Sequence, residues 1–384
     1  MKKIILLVMS FVVLLTIFPV SSFAESSEAV SVNAKAYVLM DASTGEVLLS
    51  KEENKKLYPA SVTKIMPILL VFEALKDKKI SLDDVVTASA EAAAMGGSQI
   101  WLKEGEQMKV EELLRAAVIA SANDACTALG EYIAGSETGI VKMMNEKAEE
   151  LGMKNTNFEN CTGLDDDTVN HFTTALDIAL MSKELLSYDE ITNYSTVWMD
   201  SLRNGSTQLV NTNKLVRFYK GTTGLKTGTT SKAGYCISAS AKRNGLHLIA
   251  VVMGSDNSTD RFEGAKALLN YGFSNFETVT PKIDDNLIAP VNIIKGIENS
   301  FIPKLEEIKP VTLKTGEKNN IETEIQLSAD VEAPVEKGQM VGRVIFKVKN
   351  KVIGEYKLFC EKEIRRLKIT DIMLRLVSSI TLNS

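Results

Sequence analysis

The sequence predicts an α+β fold, in which an antiparallel sheet flanked by helices is followed by a small all-β domain and a C-terminal amphipathic helix. Three observations support this prediction. Helix-period apolar runs fill much of residues 61–273, with strand patterns before them and near their end. From about residue 280 the chain changes to short alternating runs separated by proline and glycine. Residues 363–382 then return to a helical period.

The first elements are a hairpin and a helix. Residues 36–40 and 46–49 indicate two strands joined by a turn. A helix is expected to begin at Ser61, and Pro67 should kink it or loosen one turn, because proline removes a backbone donor and crowds the turn before it. The run at residues 110–120 is too apolar for a surface helix and therefore predicts a buried one.

The sheet should be completed by a hairpin at residues 234–254. Its turn is Asn244-Gly245, a pair that favours the type I′ turn of tight hairpins. The second strand is nearly all apolar, which predicts a central strand covered on both faces. Further helices are expected at residues 124–133, 139–151, 173–186 and 261–273.

The second domain is expected to be all-β. Its strands should lie at residues 311–313, 321–327, 340–348 and 352–358. The predicted organisation is a signal peptide (1–24), a catalytic domain (25–279), a β-rich domain (280–361) and a terminal helix (362–384).

The N-terminus has the pattern of a secretory signal. Lys2-Lys3 precedes an unbroken apolar run from Ile4 to Val20, and Ser22-Phe23-Ala24 provides small residues for cleavage after Ala24. The alternative is an uncleaved membrane anchor, because the apolar run approaches spanning length.

The C-terminal helix would separate apolar from basic residues. This composition is typical of a helix lying on a membrane surface; the alternative is a terminal helix that packs on the second domain. The apolar face comprises Ile364, Leu367, Ile372, Met373, Leu376, Val377 and Ile380, and the basic residues are Arg365, Arg366, Lys368 and Arg375.

Composition excludes several kinds of protein. The 384 residues carry a net charge of −5 without a long basic run, so nucleic acid is not an expected partner. No His-Glu-x-x-His or C-x-x-C pattern is present, and neither a metal nor a cofactor is expected. The cysteines are far apart and favour buried thiols over two disulfides, although an exported protein allows both. They are Cys126, Cys161, Cys236 and Cys360.

A candidate nucleophile and base lie in Ser61-Val62-Thr63-Lys64. Residues three apart share a helix face, so the Ser61 hydroxyl can meet the Lys64 amine. A serine needs a base, and a lysine can serve once burial or a neighbouring cation lowers its pKa. Alone this pattern is weak, because many helices begin with serine and carry a lysine one turn later.

Two further motifs make the pattern specific. Ser121-Ala122-Asn123 and Lys226-Thr227-Gly228 follow in order. The set resembles the penicillin-binding protein and serine β-lactamase superfamily, and residues 58–66, 121–126, 155–158 and 224–230 most resemble the low-molecular-mass D-alanyl-D-alanine carboxypeptidases. The resemblance implies a β-lactamase/transpeptidase-like catalytic domain.

The resemblance also implies roles. Ser61 would form the acyl-enzyme, Lys64 would take its proton, and Ser121 would relay a proton to the leaving amine. Asn123 would hold the substrate amide or Lys64. Lys226 would lower the pKa of Lys64 and attract the terminal carboxylate. Other expected substrate contacts are Thr227 and Thr229 on the carboxylate, Gly228 leaving room at the strand edge, and Arg261 near the carboxylate pocket. The N–H groups of Ser61 and Thr229 would form an oxyanion hole.

The implied substrate is a peptidoglycan stem peptide ending in D-Ala-D-Ala, with β-lactams as inhibitors and the terminal helix on a membrane surface. Residues 161–171 lack the Glu-x-x-Leu-Asn that class A β-lactamases use for deacylation, and Asp165, Asp166 and Asp167 favour a solvated loop face over a base. His171 is expected to be a loop or packing residue and His247 a strand-face residue. Alternatives are a β-lactamase, a peptidoglycan endopeptidase, or a non-catalytic lactam sensor.

Overall fold

The structure of the chain is a computed structural model that describes residues 30–166 and 168–373. The predicted signal peptide and residues 374–384 of the predicted terminal helix lie outside the described residues. No helix within the described part is long and apolar enough to cross a membrane.

Strands alternate with helices in the first region, and strands dominate the second. The strands are β1 Ala36–Asp41, β2 Val47–Lys51, β3 Val85–Thr87, β4 Gln107–Lys109, β5 Met199–Leu202, β6 Thr207–Val210, β7 Thr222–Thr230, β8 Gly234–Arg243, β9 Leu246–Ser255, β10 Phe276–Val279, β11 Val291–Ile294, β12 Ser300–Phe301, β13 Lys304–Leu305, β14 Val311–Lys314, β15 Glu322–Leu327, β16 Asp330–Glu332, β17 Met340–Val348 and β18 Lys351–Phe359. The α-helices are α1 Ile65–Lys76, α2 Ala90–Ala93, α3 Val110–Ile119, α4 Asn123–Ala134, α5 Glu137–Glu150, α6 Ala175–Leu185, α7 Thr192–Ser195, α8 Leu215–Phe218 and α9 Ser258–Asn275.

A five-stranded antiparallel sheet of order β2-β1-β9-β8-β7 organises the first region. The central strand β9 is covered on both faces, as its apolar sequence predicts. Leu248 and Val252 face the glycines of α9 on one side. Ile249 and Val251, alternate residues of β9, join the core shared with the helices on the other side.

The predicted helices and both hairpins of the first region are confirmed within a few residues. The prediction for Pro67 is wrong in position, because α1 runs unbroken from Ile65 through Pro67 to Lys76. The deviation lies one turn earlier, where Ala60–Lys64 winds as a 3-10 helix. A proline crowds the carbonyl four residues before it, here that of Thr63, which explains a tighter winding ahead of Pro67.

The second region is all-β, as predicted. Three small sheets pair β10 with β14, order β12-β11-β16, and order β13-β18-β17-β15. They enclose an apolar core that includes Val291, Val344, Phe346 and Leu358. Strand β10 lies before the predicted domain boundary at residue 279, but it pairs with β14 of the second region. The position of that boundary therefore stays a prediction.

The terminal helix begins later than predicted. Ile364 and Arg366 form β-bridges with Val335 and Gly296, and helix is described only at residues 369–373. Ile364 is 1% exposed in the β-domain core, so packing overrides the helical period there. The start at residue 363 was therefore wrong.

Candidate active site

Ser61 and Lys64 lie on the 3-10 helix Ala60–Lys64 that leads into α1. Side chains three residues apart are eclipsed in a 3-10 helix, so this winding places hydroxyl and amine side by side. Lys64 Nζ lies 2.9 Å from Ser61 Oγ. The structure therefore brings the two side chains together, through a tighter turn than the predicted α-helix.

Lys64 is fully buried, which makes its charged amine less stable than it is in water. Its other contact is the carbonyl oxygen of Thr162, 2.9 Å from Nζ. Burial lowers the pKa of Lys64 to about 8, although the nearby Cys126 and Cys161 act in the opposite direction. At pH 7 roughly a tenth of such an amine is neutral, which enables Lys64 to take a proton from Ser61.

Lys226 is a second buried amine, on β7, and its Nζ donates to the carbonyl oxygen of Thr227 at 3.0 Å. Burial, and then the charge of Lys64, lowers the pKa of Lys226 well below its usual range. Burial is the main cause of the low pKa of Lys64, and the predicted effect of Lys226 on that pKa stays a prediction. The repulsion is mutual, so it disfavours the state with both amines charged.

Gly228 is required where β7 passes the 3-10 helix Ala60–Lys64, called the nucleophile turn below because it carries the candidate nucleophile Ser61. A Cβ at this position would lie 2.8 Å from both the Pro59 carbonyl oxygen and the Ser61 nitrogen. The predicted reason, room for substrate at the strand edge, is therefore incomplete. Only glycine lets β7 approach the 3-10 helix so closely, which sets the Ser61 N–H beside the strand.

Ser121 and Asn123 occupy the junction of α3 and α4. Ser121 has a left-handed backbone with φ of 62° and is 4% exposed. Asn123 Nδ2 donates to the Gly96 carbonyl oxygen at 2.6 Å, while its buried Oδ1 has no hydrogen-bond partner. Since Lys64 bonds to Ser61 and Thr162 instead, the alternative contact between Asn123 and Lys64 is not made.

The hydroxyl groups of β7 are held by neighbouring elements. Thr227 Oγ1 donates to Thr212 Oγ1 at 2.8 Å. Arg261 Nη1 donates to Thr229 Oγ1 at 2.9 Å and to the Gly228 carbonyl oxygen at 3.0 Å. Arg261 is only 8% exposed. Arg261 Nη1 therefore holds Thr229 and the β7 backbone, and its hydrogen bonds are made within the protein.

The loop at residues 160–166 closes over the nucleophile turn, a contact that no sequence pattern indicated. Gly163 has φ of +84°, and a Cβ there would lie 1.8 Å from the Ala60 carbonyl oxygen. Asp165 is 3% exposed and accepts a hydrogen bond from Thr230 Oγ1. The prediction that Asp165 belongs to a solvated face is therefore wrong, because its carboxylate joins this loop to β7.

His171 contacts the nucleophile turn through a hydrogen bond to Thr63. It is 1% exposed, as a packing residue should be. The Glu159 N–H donates to Nδ1 at 3.0 Å, so the neutral ring carries its proton on Nε2, 2.9 Å from Thr63 Oγ1. Burial lowers the pKa of His171 to about 4, which keeps the ring neutral. The contact with Thr63 was not foreseen, since it joins residues 108 apart.

A serine in contact with a buried lysine amine, a second buried lysine on the neighbouring strand and a backbone N–H beside the serine are the arrangement of a class of protein: a serine hydrolase that acts by acyl transfer. Family comparison places the chain within this class. Residues 22–257 match the model for D-alanyl-D-alanine carboxypeptidase, and residues 276–366 match that for penicillin-binding protein 5, C-terminal domain. The chain belongs to the D-alanyl-D-alanine carboxypeptidase family and is a serine-type hydrolase of that kind.

Relatives of this family match nearly the whole chain. D-alanyl-D-alanine carboxypeptidase DacF of Bacillus subtilis (strain 168) is 40% identical over 374 residues, 95% of each chain. D-alanyl-D-alanine carboxypeptidase DacC of Escherichia coli (strain K12) is 36% identical, covering 89% of this chain and 87% of the relative. The crystal structure of penicillin binding protein 5 from Haemophilus influenzae has a TM-score of 0.76 at 32% identity, covering 88% of this chain and 98% of that one. The predicted family and fold are confirmed.

Proposed function

We propose that Ser61 is the acylated nucleophile and that the chain removes the terminal D-alanine of peptidoglycan stem pentapeptides. The observation that carries this assignment is the 2.9 Å contact between the Ser61 hydroxyl and the Lys64 amine, together with a Lys64 pKa of about 8. A nucleophile needs a base within hydrogen-bonding reach whose neutral form is populated, and a pKa of about 8 leaves roughly a tenth of the Lys64 amine neutral at pH 7.

Acylation begins when neutral Lys64 takes the Ser61 hydroxyl proton. Ser61 Oγ bonds to the carbonyl carbon of the penultimate D-alanine, and the N–H groups of Ser61 and Thr229 receive the developing oxyanion. The carbon–nitrogen bond then breaks, and the proton reaches the leaving amine through Ser121. Water hydrolyses the ester in a second step, with Lys64 again as the base, and frees Ser61.

The substrate would be oriented by groups on both sides of Ser61. Asn123 Oδ1 is buried without a partner and would accept the substrate amide N–H. Thr227 and Thr229 would contact the terminal carboxylate beside Lys226, while Arg261 supports Thr229 through Nη1. Penicillin would acylate Ser61 in the same orientation; relatives include penicillin-binding protein D2 from Listeria monocytogenes in an ampicillin-bound form, 30% identical with a TM-score of 0.56.

Intact-protein mass spectrometry after penicillin treatment tests the nucleophile. We expect one adduct, located on the peptide that contains Ser61, and none in Ser61→Ala. The matched control is Ser274→Ala, an exposed serine far along α9. An adduct that persists in Ser61→Ala refutes the assignment.

Turnover distinguishes this function from its rivals. A diacyl-Lys-D-Ala-D-Ala peptide should lose one D-alanine repeatedly, whereas a sensor would be acylated once and stop. Residues 161–171 contain no glutamate to activate water, so lactams should be released slowly. Rapid lactam hydrolysis with no peptide turnover would instead identify a β-lactamase.

We also propose that the chain is exported and rests on a membrane through its C-terminal helix. The signal pattern of residues 2–24 supports export. Ile369, Ile372 and Met373 are 77%, 44% and 63% exposed where the described chain ends, as a lipid-facing helix requires. Vesicle flotation of the chain without residues 1–24 should be lost in Ile369→Glu/Met373→Glu. It should be kept in the control Ile302→Glu, a residue that is 71% exposed elsewhere in the β-domain. Equal flotation of both variants would refute the membrane role.

A further inference from the structure

Trp101 combines a strained backbone with an exposed aromatic ring. Its φ is 63°, in the left-handed region that bulky residues rarely adopt. Its side chain is 73% exposed, so neither core packing nor burial compensates for the conformation. Strain of this kind persists only where the surroundings impose it, and it concentrates at functional sites.

Hydrogen bonds to the buried carboxylate of Asp124 and from the half-buried Arg203 fix the backbone around Trp101. The carboxylate of Asp124 accepts the N–H of Ile100 at 3.1 Å and that of Leu102 at 3.0 Å. Arg203 Nη1 donates to the Ile100 carbonyl oxygen at 2.7 Å. Ile100 and Leu102 are 1% and 5% exposed. The flanking residues therefore face inward, and the backbone between them turns the indole outward.

The same segment borders the active site. Asn123 N donates to the Ser98 carbonyl oxygen at 2.6 Å, and Asn123 Nδ2 to that of Gly96. Trp101 is three positions after Ser98, and three residues span at most about 11 Å. The indole is thus anchored close to the asparagine that we place on the substrate amide.

Two other strained residues of this region lie in the proposed reaction site or next to it. Ala60, with φ of 49°, precedes the nucleophile, and Ser121, with φ of 62°, is the proposed relay. Trp101 has no part in bond breaking. Its exposed ring, on the segment that contacts Asn123, suits contact with a portion of the substrate beyond the reacting dipeptide.

We propose that Trp101 is a stacking platform for a pyranose ring of the glycan strand that carries the stem peptide. This inference rests on the proposed function, which makes that strand part of the substrate. A flat indole presents an apolar face in water, and the C–H face of a pyranose is its apolar counterpart. Adjacent charges cancel, since Lys103 is followed by Glu104 and Arg203 pairs with Glu106. That balance suits a neutral sugar better than an ammonium group of the peptide.

The test compares kcat/KM for a disaccharide-pentapeptide with that for the same pentapeptide without sugars. We expect the wild type to prefer the glycosylated substrate by roughly three- to tenfold. Trp101→Ala should abolish the preference, and Trp101→Phe should keep most of it. Phe218→Ala, a change at another aromatic residue that is 66% exposed, should leave the preference intact.

Each variant should hydrolyse the sugar-free peptide, and be acylated by penicillin, as the wild type is. Equal kcat/KM for both substrates in the wild type, or a preference that survives Trp101→Ala, overturns the proposal. A preference that disappears on acetylation of the peptide amine would assign Trp101 to the peptide and also overturns it. If the wild type fails on the sugar-free peptide, the proposed function fails instead.

Fluorescence supplies a readout independent of turnover. The chain contains two tryptophans, so Trp198→Phe leaves Trp101 as the sole indole emitter. In a Ser61→Ala/Trp198→Phe protein, the disaccharide-pentapeptide should shift the emission to shorter wavelength, because stacking removes water from the ring. The sugar-free peptide should not. An identical response to both ligands contradicts sugar stacking.

Discussion

Buried polar side chains are distributed unevenly between the two regions of the chain. Among the described residues, all 23 buried polar or charged ones lie between Asp41 and Arg261. The β-rich region after residue 280 has an apolar core, and its ion pairs, such as Arg343 with Glu355, are on the surface. Burying polar groups costs free energy unless each finds a partner. In the first region several of these residues, among them Lys64, His171 and Lys226, lie at or next to the Ser61 turn, whereas the core of the second region is apolar.

Loss of the Lys64 amine should have the largest effect on activity, and the matched change in the β-rich region should have none. Lys64→Met keeps the length of the buried side chain and removes the base, so we expect penicillin acylation to slow by roughly a thousandfold or more. Lys347→Met provides the matched change in the β-domain and should leave acylation unaltered. Stopped-flow acylation rates measure both. Comparable losses in the two variants would mean that Lys64 acts through stability alone.

Acid should destabilise the first region through its histidines. Burial lowers the pKa of His171 to about 4 in the folded chain, against 6.5 for the ordinary side chain. Between these values the unfolded chain binds more protons, so stability falls as pH decreases from 6.5 to 4, by about 3 kcal/mol for this residue. The pKa of His247 is lowered to about 4 as well, also chiefly by burial.

Urea unfolding between pH 4 and 7 measures that loss. His171→Gln should reduce the slope of stability against pH, although it should also lower stability at pH 7 because the bond to Thr63 is altered. The chain has two histidines, and neither lies in the β-rich region, whose unfolding should not follow this profile. An unchanged slope in the variant would contradict the assignment to His171.

The nucleophile and base were predictable because they are neighbours in sequence, and the other motifs identified β7 and the α3–α4 junction. What the sequence could not provide were contacts with a single backbone atom far along the chain. The Thr162 carbonyl oxygen that holds Lys64 has no residue signature, and the reason for Gly228 became clear only from its distance to Ser61. Asp165 was misjudged because a run of acidic residues indicates solvent unless a partner such as Thr230 is known. Asp166 is exposed, as predicted, and Asp167 lies outside the described residues.

Adding one methyl group at Gly228 tests the close packing of β7 on the nucleophile turn, whereas the same change at Gly316 tests backbone strain alone. In Gly228→Ala the Cβ meets Pro59 and the Ser61 nitrogen at 2.8 Å, so β7 must move away from the nucleophile turn. Acylation should fall by roughly ten- to a hundredfold, since small displacements of reacting groups are costly. Gly316→Ala is the control in the β-rich region: its φ is +87° with no atom near the Cβ, so it should lose about 1 kcal/mol of stability and no activity. Equal activity in both variants would show that β7 can relax.

The smallest effect is expected from a surface charge of the β-rich region. Glu355→Gln removes the ion pair with Arg343, whose side chains are 47% and 42% exposed, and keeps the shape of the side chain. Such exposed pairs contribute less than about 1 kcal/mol, because water and salt screen them and two long side chains must be ordered. Thermal unfolding should shift slightly, the shift should shrink further in high salt, and peptide turnover should not change. A large shift, or a loss of turnover, would mean that polar contacts in the β-rich region support the site after all, and the contrast between the two regions would no longer hold.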